Sequence, residues 1–456
     1  MKKIVLLSVL CLCLIAFMGC NNNRDTVTCQ DNLGQGNTEF MSYAGPVFPL
    51  SVLGDSANVS ATRNIVFDFG DFGQRVEAIE GIWLNHNDIR VSDNYTLTND
   101  TTSDKTIEII YPFVGNFLGL SILLPTITAD NMPIQTELLA GFHTNANTWG
   151  DYATLLSDGD YLRRALADVP ELSQSVIVYE FTNARTDNTD AVAPTLDVSF
   201  NLDYDRTTVF SYGFNGGLFD PEGGFMRRSF FVPRDGDDQS HFLIFIGDDI
   251  SDFTLQGYKN GGLHVGEEID ISVDFVRHEA VLGDIWLHLL EDHIGWWHTS
   301  SDAETFLRGF DMELFYRLTS ELFHYTQASE SAAQRIFFGS GTLEDVFMHA
   351  FGSSRVFFLT AEITIPAGES VVISADMIKS ASFDFAKGSG NVGLNGYDLL
   401  THDSSNLIFS DVSVEIVGTE YIQIVRHNFE FDSDGPVLSA YLDLDEPHYF
   451  IEVRAG

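Results

Sequence analysis

Apolar and polar residues alternate with a period of two along most of this chain. Asn64-Ile65-Val66-Phe67-Asp68-Phe69 and Asn94-Tyr95-Thr96-Leu97-Thr98-Asn99 both show it, as does Thr106-Ile107-Glu108-Ile109-Ile110-Tyr111-Pro112-Phe113. This alternation, rich in β-branched and aromatic residues, is the mark of strands with one buried face. The turn-forming run Asp100 to Asp104 between the last two segments predicts a hairpin. Further strands are expected at Ser175–Phe181, Leu196–Tyr204, His241–Ile246, Phe253–Tyr258 and Ile269–Val276. Thr207–Phe214 is expected to pair with Phe225–Val232 across the glycine-rich loop Asn215-Gly216-Gly217 to Gly223-Gly224. Short helical pieces interrupt at Asp151–Leu156 and Asp160–Leu166, where apolar residues fall three and four apart.

The period changes at Leu282. Leu282–Trp297 and Ala303–Tyr325 read as helices, and Leu307, Phe310, Leu314, Leu318 and Tyr325 form one apolar stripe on the second. Thr342 is placed to cap a helix beginning Leu343-Glu344-Asp345. Alternation returns at Phe357–Thr364, Glu369–Ser374, Leu407–Ile416, Tyr421–Phe431 and Tyr449–Val453. The expected class is mainly β (α+β), with antiparallel β-sandwich domains and an inserted helical segment. The expected divisions are a signal peptide at 1–19, a lipidated cysteine and linker at 20–44, an N-terminal β-sandwich at 45–280, a helical segment at 281–352 and a C-terminal β domain at 353–456, with the two β blocks either separate or sharing one sheet system across the helices.

The N-terminus changes the picture of where the protein works. Lys2 and Lys3 precede an apolar run, Ile4 to Phe17, closed by Met18-Gly19-Cys20. This is the arrangement of a secretory signal peptide. Its end resembles the lipobox of bacterial lipoproteins, with Phe17 where leucine is usual. The resemblance implies cleavage before Cys20, lipidation of Cys20 and attachment to a bacterial membrane through that lipid. Asn21, Asn22 and Asn23 follow as a polar tether. Of the four cysteines, Cys11 and Cys13 leave with the signal, Cys20 is acylated and Cys29 remains, so no intramolecular disulfide is expected.

Charge narrows the partners. Lysine and arginine total 24 against 66 aspartates and glutamates, a net charge of −42. Such a field opposes nucleic acid, whose binding requires a basic footprint, and it gives the body no electrostatic attraction to anionic lipid.

Candidate chemistry is sparse. His288-Leu289-Leu290-Glu291-Asp292-His293 resembles an inverted zinc-protease motif, but Asp292 breaks the spacing and leaves His293 roughly 140° from His288 on a helix. A solvated polar face on a helix packing Ile285, Leu289 and Trp296 is the expected reading. Gly54-Asp55-Ser56 with Asp445-Glu446-Pro447-His448 resembles the Gly-Asp-Ser lipases and esterases, which implies Ser56 as nucleophile, His448 as base and Asp445 as its orienting partner. The β-rich surroundings favour two ordinary turns. Acidic loops at Asp235, Asp237 and Asp238, at Asp248, Asp249 and Asp252, and at Asp432 and Asp434 suit calcium or local turn hydrogen bonds, and the turns are preferred. Arg227 and Arg228 sit on opposite faces of a strand and, with Arg234, are expected to answer nearby carboxylates. No catalytic residue, metal ligand or cofactor is assigned, and Cys20 alone is a site residue.

The run Tyr95 to Leu139, with Tyr111-Pro112-Phe113 and Ile127 to Pro133, resembles the opening of vault/inter-α-trypsin-type β-sandwiches and related exported bacterial domains. This implies a fold only. The expected function is a lipid-anchored, extracytoplasmic binding or interaction module of the bacterial cell envelope, non-catalytic, with a protein or glycan partner left open. A secreted hydrolase, esterase-like or metal-dependent, and a structural envelope component are the alternatives.

Overall fold

The computed structural model describes residues 42–79, 82–143, 148–157, 170–233, 239–261, 266–298, 312–327, 342–384, 391–432 and 435–456. The signal segment, Cys20, Cys29, Asp160–Leu166, Leu307 and Phe310 lie outside them. The described chain is mainly β, in several antiparallel sheets with helices between.

The largest sheet has seven strands in the order Leu438–Tyr441, Ile408–Val417, Val59–Asp68, Ile89–Asn99, Ser370–Lys379, Thr126–Ala129, Met132–Pro133. Its alternation is that of the sequence. Val59, Ala61, Ile65 and Phe67 are buried, as are Val91, Tyr95 and Leu97, while Ser60, Thr62, Asn64, Ser92, Asn94 and Thr96 stand on the outer face. One pair, Val59–Asp68 with Ile408–Val417, is parallel. The buried face shares a core with a four-stranded sheet (Glu137–His143, Arg355–Ile365, Lys105–Gly115, Ser51–Leu53) and a five-stranded one (Ser42–Tyr43, Phe383–Asp384, Asn395–Leu400, His448–Ala455, Ile422–His427).

The hairpin expected around Asp100–Asp104 does not form. Ile89–Asn99 pairs with Val59–Asp68 and Ser370–Lys379, whereas Lys105–Gly115 pairs with Arg355–Ile365 in the facing sheet. The turn is an arch between layers, and a second arch at Pro366–Gly368 lies beside it. Asn99 ties the two together. Its Nδ2 donates to the carbonyls of Ser103 (2.8 Å), Ile365 (3.0 Å) and Pro366 (3.2 Å). Its Oδ1 accepts from Thr101 N (3.0 Å) and Oγ1 (2.7 Å). A buried amide with every partner in place fixes the crossing.

Strand pairing divides the chain differently from the blocks 45–280, 281–352 and 353–456. Strands from 353–456 join strands from 42–143 in all three sheets above. The strands of 175–281 pair among themselves in two further sheets: Thr208–Tyr212, His241–Ile246, Ser175–Arg185, Ser272–Val281, and Gly216–Asp220, Phe225–Phe231, Thr195–Asn201, Phe253–Tyr258, Glu268–Ile269. These enclose their own core of Phe181, Val198, Phe200, Met226, Phe230, Leu243 and Phe245. The second expected hairpin is also different. Thr208–Tyr212 and Phe225–Phe231 lie in opposite sheets, and the partner of Phe225–Phe231 is the glycine-rich segment itself, Gly216–Asp220. Gly213, at φ +81°, turns the chain between the sheets, in a region that favours glycine.

The described helices are α1 (Leu120–Leu123), α2 (Trp149–Ser157), α3 (Leu282–His298), α4 (Met312–Gln327) and α5 (Leu343–Gly352). Leu282, Trp286, Leu289 and Leu290 of α3, Leu314, Phe315 and Leu318 of α4, and Val346, Phe347 and Phe351 of α5 belong to the main core. Phe210, Tyr212, Phe242 and Ile244, on the outer face of the inserted sandwich, belong to it too, so one apolar cluster spans insert, helices and body. The stripe on α4 is covered mainly by α5, with Phe315 against Phe351 at 4.0 Å, while α3 reaches it through Trp286 Nε1, which donates to Thr319 Oγ1 at 2.9 Å. Leu314→Ala is therefore expected to destabilise the protein by about 2–5 kcal/mol, the range for emptying a packed leucine site. Urea denaturation checks this, and a loss below about 0.5 kcal/mol, the surface value, contradicts it.

Candidate functional site

The two sequence motifs with catalytic resemblance are put to structural use. On α3, Asp292 accepts a hydrogen bond from the Tyr212 hydroxyl at 2.8 Å. His293 is buried between Tyr212 and Phe347, and burial lowers its pKa to about 4. His288 sets its edge against Phe242. The expected solvated face is thus turned in part onto the inserted sandwich. Among the described residues no three His, Cys, Asp or Glu side chains converge on a metal-sized site.

Ser56, Asp445 and His448 form no relay with one another. Ser56 Oγ donates to the carbonyl of Asn406 at 2.8 Å, and Asp445 N donates to Asp443 Oδ1 at 2.9 Å, a turn contact. His448 Nε2 pairs with Asp398 Oδ2 at 2.9 Å, and the same oxygen accepts from Tyr43 Oη at 2.6 Å. Trp149 stacks on the imidazole, 5.0 Å away and 7° from parallel. Burial pushes the Asp398 carboxyl up, but His448 and Tyr43 outweigh it and hold the group below its ordinary value.

The acidic loops are engaged where they are described. Asp248 pairs with Arg206 (2.6 Å) and Asp249 with Arg277 (2.8 Å), Asp252 accepts from Ser251 Oγ (3.2 Å), and Asp432 accepts from Tyr441 N (2.9 Å). Asp235, Asp237, Asp238, Asp434 and Arg234 lie outside the described residues.

Arg227 and Arg228 separate as expected, to opposite faces, but only one meets a carboxylate. Arg227 Nε lies 3.5 Å from Asp197 Oδ2 on the outer face. Burial pushes Asp197 up to about 6, against the pull of Arg227. Arg228 points the other way, on the core-facing side of its strand with Met226 and Phe230. It is 3% exposed, and its Nε and Nη2 have no hydrogen-bond partner. Burial lowers its pKa to about 10, so it carries its charge at neutral pH. Gly217 stands directly across the strand pair, and a Cβ there would meet Arg228 Nη1 at 2.5 Å. The glycine makes room for the guanidinium.

Arg228 borders a cleft of about 420 Å³, lined also by Phe214, Asn215, Gly216, Gly217, Phe219, Thr342, Glu344 and Asp345. One wall is the edge strand Gly216–Asp220, and the other is the first turn of α5. Thr342 takes the expected N-cap position, but its side chain makes no cap hydrogen bond. Glu344 accepts from Gly213 N, and its Oε2 is buried without a partner. An arginine and a carboxylate with unmet hydrogen-bonding capacity thus share one small-ligand-sized space. Buried polar atoms normally find partners, so a pair of exceptions at one cleft marks a place for a polar guest.

Burial also pushes the Glu344 carboxyl up from 4.5 to about 7, although Gly213 N–H draws it down. A raised acid favours folding most when protonated. Its contribution is complete below the unfolded value of 4.5 and is lost as pH rises through 7. Wild type is therefore expected to lose stability relative to Glu344→Gln between pH 4.5 and 7 and to run parallel to it above about pH 8. Paired melting curves across that range check this, and a constant difference contradicts it.

A scan against protein-family models and a search of curated proteins find no match to this chain. From sequence, Glu344 and Asp345 read as a helix start and Gly216-Gly217 as a loop. The signal for the cleft is Gly217 facing Arg228 across one strand pair, and it becomes visible only once register is known.

Proposed function

We propose that the protein is a lipid-anchored, extracytoplasmic binding module of the bacterial cell envelope, non-catalytic, whose ligand is a small polar molecule with an anionic group held by Arg228. The observation that carries the binding reading is Arg228, a buried and charged side chain with unmet donors at the edge of an open cleft. Guanidinium matches carboxylate and phosphate geometry, and such charge-assisted bonds are the strong ones. The anchor rests on the signal segment and Cys20. No described helix is long and apolar enough to cross a membrane. Stable retention by a lipid needs more than one acyl chain.

The expected result is that a small carboxylate or phosphate, at 100 times its Kd, stabilises wild type by about 2.7 kcal/mol through mass action and leaves Arg228→Met unmoved. Cys20→Ala is expected to release the protein from the membrane or leave it unprocessed. Esterase, glycosidase or peptidase turnover that is lost in His448→Ala would overturn the non-catalytic reading in favour of a hydrolase.

A further inference from the structure

We infer that the cleft takes a zwitterion, an α-amino acid or short peptide, with its carboxylate on Arg228 and its ammonium against Glu344 and Asp345. This rests on the binding reading above and names the ligand class for the same cleft.

The two walls have opposite needs. Arg228 offers Nε and Nη2 donors that nothing in the protein accepts. Glu344 uses one oxygen on Gly213 N, and Oε2 is left buried without a donor. Asp345 stands beside it on the same turn. A simple anion would satisfy Arg228 but would come to rest near two carboxylates in a partly desolvated space, where like charges repel strongly. Glu344 and Asp345 attract the guanidinium through space without meeting its donors, and a neutral sugar would supply hydrogen bonds but bring charge to neither wall. A molecule with an anionic and a cationic end answers both walls. Phe214 and Phe219 add apolar surface for the rest of the guest, and the cleft of about 420 Å³ suits a single residue or a dipeptide.

The charged and titratable groups around Glu344 come from several elements. Arg228 belongs to the insert, and Tyr212 and His241 flank the Gly213 turn, with His241 Nδ1 2.8 Å from Gly213 O. Asp345 is on the same helix, and Asp292 and His293 of α3 meet Tyr212. Among these, Glu344 is the acid with an unmet oxygen lining the cleft.

The test is calorimetric titration of the full chain in detergent with the twenty standard L-amino acids and with dialanine. The tightest of these is then compared with its analogue lacking the amine and its analogue lacking the carboxylate. The expected result is binding of at least one zwitterion with Kd below 1 mM, weakened at least 10-fold by removal of either charged group. Arg228→Met should abolish it. Glu344→Gln should weaken the zwitterion about 10-fold and leave the des-amino carboxylate bound as well or better, because the former loses the partner of its ammonium and the latter loses a like charge. Affinity for the zwitterion should rise between pH 6 and 8, as Glu344 ionises, and affinity for the des-amino acid should not. Equal binding of the des-amino carboxylate overturns the zwitterion while leaving an anion cleft. Binding that survives Arg228→Met overturns both readings. No binding by any of the probes overturns the zwitterion, and the carboxylate and phosphate panel then decides the broader reading by itself.

Discussion

Asp93→Ala is expected to destabilise the protein by about 3–5 kcal/mol, the cost of leaving one partner of a buried ion pair alone. Arg63 and Asp93 lie diagonally on adjacent strands of the seven-stranded sheet, both facing inward, with side chains fully buried. Arg63 Nε and Nη2 each donate to Asp93 at 2.8 Å, a two-point contact. The remaining donors reach carbonyls on two other segments: Nη2 to Phe48 at 3.0 Å, and Nη1 to Leu400 and Thr401, the latter at 3.1 Å. Asp93 Oδ2 also accepts from Tyr95 at 2.6 Å and Tyr111 at 3.2 Å, and Tyr95 in turn accepts from Leu50 N at 2.9 Å. Burial lowers the Arg63 pKa and Asp93 more than restores it, so the guanidinium stays charged. Without Asp93 that charge has carbonyls for company and no counter-charge, in a core that water does not reach. Guanidinium chloride denaturation measures the loss, and a change below about 1 kcal/mol would show that the network is dispensable. Arg63→Met combined with Asp93→Leu is expected to cost less than the sum of the two single changes, since no buried charge is then left unpaired. Residues in one such network couple by about 0.5–3 kcal/mol.

That network ties together what the sequence could not join. The strand character of Ile89–Asn99 and Lys105–Gly115 is legible because alternate residues are apolar, and the structure keeps that alternation along the first strand and at the start of the second, before a run of five buried residues from Ile109 to Phe113. Their partners are not legible, because period two reports a buried face and not the neighbour along the hydrogen-bond direction. A five-residue polar turn fits a hairpin and an arch equally well, and the choice falls to Asn99, whose amide contacts lie more than 260 residues away. The same limit applies to the insertion. Strands at 51–53 and 105–115 wait for 355–365, and the segment between closes a sandwich of its own. Nothing in local pattern marks that closure.

The helices show the reverse case. The stripe through Leu314 and Leu318 is readable from spacing and is buried. His293 was unreadable because its burial comes from Tyr212 and Phe347, one on a strand and one on another helix. The cleft follows the same rule. Period two sets Arg228 facing away from Arg227, and an arginine in a chain with 66 acidic residues is expected to pair with one of them. Its strand turns it toward Met226 and Phe230, into the space that Gly217 leaves open, where Glu344 and Asp345 act on it through space and its Nε and Nη2 stay without a partner.

This produces the last expected result, in which neighbouring arginines respond with opposite signs. Arg228→Met should raise the stability of the ligand-free protein by about 1–3 kcal/mol, because burial of the guanidinium with unmet donors outweighs its attraction to Glu344 and Asp345. Two unpartnered N–H donors disappear, each costing about 1–3 kcal/mol when left unsatisfied. Methionine is flexible enough to fill the same channel beside Met226 and Phe230. Arg227→Met, one residue away, should destabilise instead, because it strips Asp197 of the positive charge at 3.5 Å and leaves a buried carboxylate behind. Thermal melts of both variants without ligand separate the two cases. A stabilised Arg228→Met that no longer binds its ligand is what a residue kept for binding at the expense of folding should give. A drop of more than 1 kcal/mol would instead mark Arg228 as a structural residue, and the cleft would lose its strongest argument.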